Sequence, residues 1–289
     1  MTTGGVREGN MSAARPSDTD GAWYGEVAVH GGVVPLCMAG EEERPALILL
    51  HGWTLDHRIW APQIAGLTDE FFLVMPDRRG CGRATAPANL AHEAEDVIAI
   101  ADFLGIDRFA LLGLSRGATV ALDVARLHGS RLTGLVVSGA PLPALVPREE
   151  VIDLEHFRAL AAAGELARLR SEWALHPLMQ TQTPEAAALV ATILADYDGR
   201  DLLASADAPG FPREALAMLA VPVLAVTGEH DTAWRKACAS ALAQIAPRAM
   251  HALVPEAGHI ANADNPARFN ALVAAFLRNL TAPHTRPKQ

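Results

Sequence analysis

The distribution of apolar residues along the chain predicts a regular alternation of strands and helices. Residues 26–29 and 33–38 flank His-Gly-Gly at 30–32, which is typical of a short antiparallel hairpin. The next signals are short, almost continuous apolar runs, at 47–50, 71–75, 109–112, 135–137, 221–226 and 252–254. Strands that are covered by helices on both faces have this composition. The pattern therefore predicts a mostly parallel, doubly wound α/β sheet.

The segments between these runs carry apolar residues at helical spacing. One stripe uses positions 94, 97, 98, 101 and 104, and a second, made of small residues, uses 118, 121, 122 and 125. A third stripe at 269–280 follows Pro266, a good first-turn residue, and Asn265, a candidate cap. We therefore expect helices to follow the strands in turn, as in a doubly wound sheet.

Residues 142–219 interrupt this alternation. They contain no strand signal, only Ala-, Leu-, Glu- and Arg-rich sequence broken by proline and glycine. The segment is too long for a loop, so we interpret it as four or five short helices that form a cap over one edge of the sheet. The predicted organisation is a disordered leader (1–22), an α/β core (23–141 and 220–282) and a helical cap (142–219). Met11 remains an alternative start.

Composition restricts the partners. The chain has 289 residues, half of them apolar, a formal net charge of −9 and no run of basic residues, which disfavours nucleic acids and anionic membranes. Cys37, Cys81 and Cys238 are too scattered for a disulfide framework or a metal site. The start lacks the apolar region of a signal peptide, and no stretch approaches the length of a membrane span. We expect a soluble cytoplasmic protein that acts on a small molecule; homo-oligomers remain open.

The strongest local motif is Gly-Leu-Ser-Arg-Gly at 113–117, between an apolar run and a helical stripe. G-x-S-x-G alone is a weak pattern. In a strand–turn–helix context it is stronger, because the glycines allow a tight turn that projects Ser115 above the sheet. The alternative is a glycine-rich turn with a solvated serine.

Four further motifs accompany this turn in a fixed order. They are His-Gly-Trp at 51–53, Asp-Arg-Arg-Gly-Cys-Gly at 77–82, Gly-Glu-His-Asp at 228–231 and Ala-Gly-His at 257–259. Together with the serine turn they resemble the α/β-hydrolase family, and the resemblance runs from about residue 25 to 280. It implies an eight-stranded, mostly parallel sheet with a helical cap, serine-hydrolase chemistry, and neither cofactor nor metal.

The order Ser–Asp–His is the one that this fold uses for its catalytic triad. The resemblance assigns Ser115 as nucleophile, His259 as general base and Asp231 as the acid that orients the histidine. Glu229 is the nearby competitor for the acid, and no acid follows the run at 135–137. A capping or core role is the alternative for His259.

The oxyanion hole is expected from the backbone N–H groups of Trp53 and Arg116. Trp53 is also a candidate wall of the acyl pocket, the alternative being an ordinary packed aromatic. We expect His51 to hold loops together. The spacing of the histidines at 51, 57, 230 and 259 matches no metal-ligand motif.

The cap supplies bulky apolar candidates for the pocket: Trp173, Leu175, Leu178 and Met179. Each could equally hold the cap helices together. The chain departs from the common family pattern at Cys81, Ala84 and Ala118. These positions shape loops, so the departures affect substrate detail and leave the triad intact.

The leading functional hypothesis is hydrolysis of a small carboxylic ester or lactone through an acyl-enzyme. Cofactor-free perhydrolases share His-Gly-Trp and Asp-Arg-Arg-Gly but usually carry proline where this chain has Thr54. C–C bond hydrolases use the same triad and stay open. Epoxide hydrolases and haloalkane dehalogenases place an aspartate at the turn, so Ser115 disfavours them. A non-hydrolytic receptor or cyclase on this fold is a further, weaker alternative.

Overall fold

The computed structural model of the protein describes residues 21–149, 152–204 and 211–281. The strands, in chain order, are β1 (Ala22–Val29), β2 (Gly32–Ala39), β3 (Ala46–Leu50), β4 (Phe72–Pro76), β5 (Phe109–Leu114), β6 (Leu132–Ser138), β7 (Val223–Gly228) and β8 (Ala249–Val254). They form one eight-stranded sheet in the order β1-β2-β4-β3-β5-β6-β7-β8.

The sheet is antiparallel only at one edge. β1 and β2 form the predicted hairpin, with Val29 opposite Gly32, and β2 pairs antiparallel with β4. The other neighbouring strands pair parallel. The prediction of a mostly parallel α/β sheet is therefore confirmed, and the carboxyl ends of its parallel strands meet along a common edge.

Helices connect the strands. They are α1 (Ala61–Leu67), α2 (Leu90–Phe103), α3 (Arg116–His128), α4 (Leu154–Ala162), α5 (Leu166–Ala174), α6 (Pro184–Asp196), α7 (Arg213–Ala217), α8 (Ala233–Ile245), α9 (Ala261–Asp264) and α10 (Pro266–Thr281). The start of α10 agrees with the prediction, because Asn265 Oδ1 accepts the Arg268 N–H at 3.2 Å. None of the described helices is long and apolar enough to cross a membrane.

Each face of the sheet carries its own apolar cluster, because side chains alternate along a strand. In β3, Leu47 and Leu49 belong to the cluster that includes Phe269 of α10. Ile48 and Leu50 point to the opposite face, in the cluster with α2, α3 and α8. Burying one such side chain stabilises the fold by roughly 1.5–3 kcal/mol. The strands whose ends carry the sequence motifs are therefore packed on both faces.

The segment between β6 and β7 is helical, as the sequence predicts. Its described parts contain α4, α5, α6 and α7 and no strand. Apolar side chains of this segment join the cluster under α10, among them Phe157, Trp173 and Ile193. At the other end of the chain, β1 begins at Ala22, the last residue of the predicted leader. Residues 1–20 of that leader lie outside the described residues.

Candidate active site

The turn between β5 and α3 holds Ser115 in a strained conformation. Its φ of 53° and ψ of −110° lie outside the regions that side-chain-bearing residues usually adopt. The flanking glycines are required by space: a Cβ on Gly113 would collide with the carbonyl of Gly117, and one on Gly117 with the carbonyl of Leu50. The Ser115 N–H donates to the carbonyl of Ser138 at 2.7 Å, so β6 supports the turn.

His259 and Asp231 form a buried pair. Nδ1 of His259 lies 3.1 Å from each carboxylate oxygen of Asp231, and the two side chains are 5% and 0% exposed. The Thr232 N–H donates to Asp231 at 2.7 Å and fixes the carboxylate. Nε2 of His259 is buried and has no hydrogen-bond partner among the described residues. An imidazole held in this way presents its second nitrogen for proton transfer.

Glu229, the competing acid, is occupied elsewhere. It is exposed, and its Oε2 accepts the N–H of Glu256 at 3.1 Å. Within the described structure its carboxylate makes no bond to His259, whereas Asp231 contacts the ring through both oxygens.

Gly139 makes room for the imidazole, a role that sequence reasoning missed. It follows β6 with a φ of 57°, and a Cβ there would lie 2.5 Å from Cε1 and 2.8 Å from Nδ1 of His259. Its carbonyl accepts a bond from the Arg235 guanidinium at 2.8 Å. The sequence shows only that no acid follows β6, whereas the structure shows that position 139 has no room for a side chain.

Two backbone N–H groups near Ser115 are unpaired among the described residues: one follows Ser115 in sequence, and one is in the loop that packs against it. Gly52 brings the loop after β3 close to the turn, since a Cβ on Gly52 would lie 3.6 Å from Ser115 Cβ. The N–H groups of the next residue, Trp53, and of Arg116 donate no hydrogen bond within the described structure. Arg116 is the first residue of α3, where a helix leaves N–H groups unpaired and carries partial positive charge. These are the donors that an oxyanion would need.

His51 joins two loops, as expected. Its Nε2 accepts the Arg78 N–H at 3.0 Å, and its carbonyl accepts the Arg78 guanidinium at 2.8 Å. Burial lowers the pKa of His51 to about 4, helped by the nearby Arg78 charge. The ring is therefore neutral at physiological pH, as an acceptor must be. Arg78 is itself paired with Glu93 at 2.8 Å.

A cavity of about 500 Å³ collects the predicted pocket residues around Ser115. It is lined by Trp53, Arg116 and His259 from the core and by Trp173, Leu178 and Met179 from the cap. The prediction for Leu175 is wrong: it is 79% exposed. Residues two positions apart lie on opposite sides of a helix. Because Trp173 at the end of α5 faces inward, Leu175 just beyond that helix faces solvent.

Two tryptophans attach the cap to the loop after β3. Trp53 Nε1 donates to Asp201 at 2.8 Å, and Trp173 Nε1 donates to Thr54 Oγ1 at 2.9 Å. The Tyr197 hydroxyl donates to the other oxygen of Asp201 at 2.6 Å. The Trp53 side chain thus lines the cavity and is also held in place by its hydrogen bond to the cap. The loop that carries its N–H is held partly by the cap.

A second link joins the cap to the histidine loop. Asp264 accepts the N–H of Gly258 and the N–H of Gln182, each at 2.7 Å. Burial raises the pKa of the Asp264 carboxyl, which the N–H donors oppose. Gly258 immediately precedes His259, so this carboxyl ties the loop that carries His259 to residue 182 of the cap. Nothing in the sequence pattern singled out Asp264.

One cluster has the composition of a metal site. Ligand atoms of Asp56, His57 and Asp77 lie within 4.8 Å of one another. Arg58 covers the Asp56 carboxylate at 2.6 Å, and Asp77 accepts bonds from the His57 ring and from the Arg83 N–H. Although burial opposes ionisation, these donors hold the pKa of Asp77 well below its usual range. The carboxylates already accept hydrogen bonds from protein donors. The cluster is therefore better explained as holding together the loops after β3 and β4 than as a metal site.

The doubly wound sheet, with its serine turn between β5 and α3, has the architecture of a hydrolase, and comparison with known proteins identifies the family. The model of the alpha/beta hydrolase family matches residues 47–272. The chain belongs to this family, in its esterase and lactonase branch.

Relatives from several bacteria match along nearly their whole length. The pimeloyl-[acyl-carrier protein] methyl ester esterase of Yersinia enterocolitica is 31% identical, over 80% of this chain and 92% of that protein. The 3-oxoadipate enol-lactonase 1 of Acinetobacter baylyi is 24% identical, over 83% of this chain and 91% of that protein. The crystal structure of the enol-lactonase from Burkholderia xenovorans LB400 has the same fold, with a TM-score of 0.76 at 24% identity over 88% of this chain and 99% of that one.

Proposed function

We propose that the protein hydrolyses a small carboxylic ester or lactone through an acyl-enzyme formed on Ser115. One observation carries the proposal. The strained serine and a buried histidine line the same cavity, and that histidine has Nδ1 fixed on Asp231 and no partner on Nε2 among the described residues.

In this mechanism His259 Nε2 takes the proton of Ser115 as the serine oxygen attacks the carbonyl carbon of the substrate. The N–H groups of Trp53 and Arg116 stabilise the negative charge on the carbonyl oxygen. His259 then gives its proton to the leaving alcohol oxygen, and the acyl group remains on Ser115. Water, deprotonated by His259, attacks the acyl carbon and releases the acid. With a lactone, the leaving alcohol stays tethered to the same acyl group.

The shape and lining of the cavity support a small substrate. Its volume of about 500 Å³ lies within the range of small-molecule sites. Aromatic and aliphatic side chains from both the core and the cap surround the nucleophile. The relatives named esterase and enol-lactonase support ester and lactone bonds as the targets.

The conformation of Thr54 favours hydrolysis over the perhydrolase alternative. Perhydrolases that share the neighbouring motifs usually carry proline at this position. Thr54 has a φ of 63°, whereas the proline ring fixes φ near about −65°. The loop of this protein therefore differs in shape from one that proline can form.

The proposal is tested with p-nitrophenyl acetate and butyrate and with a fluorophosphonate probe. Ser115→Ala should lose labelling and reduce turnover by roughly 10³- to 10⁶-fold. The control is Ser130→Ala, which removes an exposed serine beyond the far end of α3 and should react like the wild type. Labelling or turnover that survives in Ser115→Ala would overturn the mechanism.

A further inference from the structure

The loop that carries His259 is held from two sides. The carbonyl of Ala257 accepts the N–H of His230, the residue before the proposed triad acid, at 2.8 Å. The N–H of Gly258 donates to Oδ2 of Asp264 at 2.7 Å. Both groups belong to the peptide unit that joins residues 257 and 258. This unit is therefore fixed at its oxygen and at its nitrogen, one residue before the imidazole.

The same loop is enclosed between the sheet and the cap. A Cβ on Gly228, the last residue of β7, would lie 2.2 Å from the carbonyl oxygen of Ala257 and 2.1 Å from that of Gly258. On the other side, a Cβ on Gly258 would lie 2.8 Å from the carbonyl oxygen of Gln180 in the cap. A change in the cap backbone at this point is therefore felt directly by the loop.

Asp264 bonds to both of these neighbours. It is the last residue of α9, which follows the imidazole, and it is buried. While Oδ2 accepts the Gly258 N–H, Oδ1 accepts the N–H of Gln182 in the cap at 2.7 Å. A carboxylate offers an acceptor on each oxygen, whereas an asparagine would turn an NH₂ group towards one of the two donors. A buried N–H that loses its acceptor is costly, so both donors favour an acid at this position.

The cap residues that Asp264 contacts belong to the wall of the cavity. Gln182 lies three residues beyond Met179, which lines the cavity together with Leu178. Asp264 itself does not line the cavity in the described structure. One carboxylate thus connects the pocket wall to the loop of the imidazole and stays away from the reacting atoms.

We propose that Asp264 is a positioning residue: it fixes the peptide before His259 so that Nε2 is aligned with Ser115, and it makes cap residues 177–183 part of that support. The inference rests on the proposed function and deepens it. Proton transfer requires the base within hydrogen-bond reach of the serine oxygen, and a small displacement of a catalytic group is expensive in rate. The cap then supports the chemistry as well as shaping the pocket.

Asp264→Asn tests the proposal, because it keeps the size of the side chain and removes one of two acceptors. With p-nitrophenyl butyrate, kcat should fall roughly 10- to 100-fold, as for a catalytic group misplaced by about 1 Å, and KM should change less. The matched control is Asp153→Asn, which also alters a cap carboxylate that accepts a backbone N–H, that of His156 at 2.9 Å, but is exposed. A wild-type kcat in Asp264→Asn would overturn the inference and leave the proposed function standing.

A double-mutant comparison shows whether Asp264 acts through His259. In the His259→Ala background the base is absent, so Asp264→Asn should leave the residual turnover unchanged, although it slows the protein that has the base. An equal fractional loss with and without His259 would mean that the substitution disturbs the site generally, and it would overturn the inference.

The position of the ring is also measurable without a substrate. Nδ1 of His259 lies 3.1 Å from each oxygen of Asp231, and NMR of protein with ¹⁵N-labelled histidine observes the proton in this bond. Asp264→Asn should shift its signal, and Asp153→Asn should not. An unshifted signal in Asp264→Asn would contradict the positioning role. If the signal shifts but the wild type neither cleaves an ester nor labels at Ser115, the proposed hydrolysis fails and the positioning of His259 stands.

Discussion

The catalytic edge of the sheet and the helical cap are built by different kinds of contact. Along the edge, the proposed catalytic residues lie in the loops that follow β5, β7 and β8, and Ser115 is supported by the neighbouring strand, because its N–H donates to Ser138 of β6. The cap is attached through side chains that are far apart in sequence: 148 residues separate Trp53 from Asp201, and 119 separate Thr54 from Trp173. Strand order therefore places the chemistry, whereas long-range side-chain bonds shape the pocket. Substitutions at the edge should therefore abolish turnover or destabilise the fold, whereas substitutions in the cap should change the substrate preference.

Of the variants discussed below, the largest effect is expected at Asp231, the proposed acid of the triad. Asp231→Asn should reduce kcat by roughly 10⁴-fold, because the amide leaves His259 in the wrong tautomer. Glu229→Gln is the matched control: it lies two residues away, is exposed and bonds only the Glu256 N–H at 3.1 Å in the described structure. Steady-state kinetics on a p-nitrophenyl ester measure both. The reverse ranking would show that the acid is misassigned.

A second prediction concerns the stability of the edge at low pH. His51 has a folded pKa of about 4, below the value of about 6.5 for the unfolded chain. As the pH falls below about 6.5, the unfolded state binds a proton that the folded state does not. Stability is then lost, down to about pH 4, by about 3 kcal/mol. Urea unfolding at pH 7.5, 6, 5 and 4.5 measures the loss.

The control for this prediction is His51→Gln, which lacks the titrating ring. It should be less stable at pH 7.5, but its stability should fall less between pH 7.5 and 4.5. An equal fall in both proteins would mean that His51 titrates normally in the folded state. Asp77 does not confuse the measurement, since its pKa is held low when folded and its contribution is lost only below about pH 4.

The same contrast explains what the sequence could predict. Local signals predict three features of the molecule. Apolar runs predict the strands, glycine spacing predicts the serine turn, and a capping residue predicts the start of α10 after Asn265. Gly139, Asp201 and Asp264 were missed because each acts through a partner that is distant in sequence. Leu175 was wrongly expected in the pocket, since composition shows that a cap residue is apolar and does not show which side of its helix faces in.

A smaller effect is expected where the cap holds the loop of the oxyanion hole. Asp201→Asn weakens the bonds to Trp53 and Tyr197, and Trp173→Phe removes the N–H that reaches Thr54. Hydrogen bonds to charged groups contribute about 1.5–3 kcal/mol, and neutral ones about 0.5–1.5 kcal/mol. We expect kcat/KM to fall about tenfold in Asp201→Asn and about threefold in Trp173→Phe.

How the loss divides between kcat and KM reports what the cap does. If the Trp53 N–H is displaced, kcat falls; if only the pocket wall moves, KM rises. Arg168→Gln is the control, because it removes an exposed ion pair of the same cap that is worth little. A loss in Arg168→Gln equal to that in Asp201→Asn would show that the effect is general destabilisation of the cap.

The last prediction concerns the dependence on acyl length, which tests the cap pocket itself. Each methylene that enters the apolar cavity gains about 0.8 kcal/mol, so kcat/KM should rise about fourfold per carbon until the cavity is full and then drop. A series of p-nitrophenyl esters from C2 to C12 locates the optimum.

Two cap variants test whether the cap sets this optimum. Met179→Ala enlarges the cavity at a buried wall residue and should move the optimum to longer chains. Leu175→Ala removes a similar side chain from the same cap, but one that is 79% exposed, and should leave the optimum where it is. A rate that keeps rising to C12, or an optimum that shifts equally in both variants, would mean that the cap does not set the length of the acyl chain.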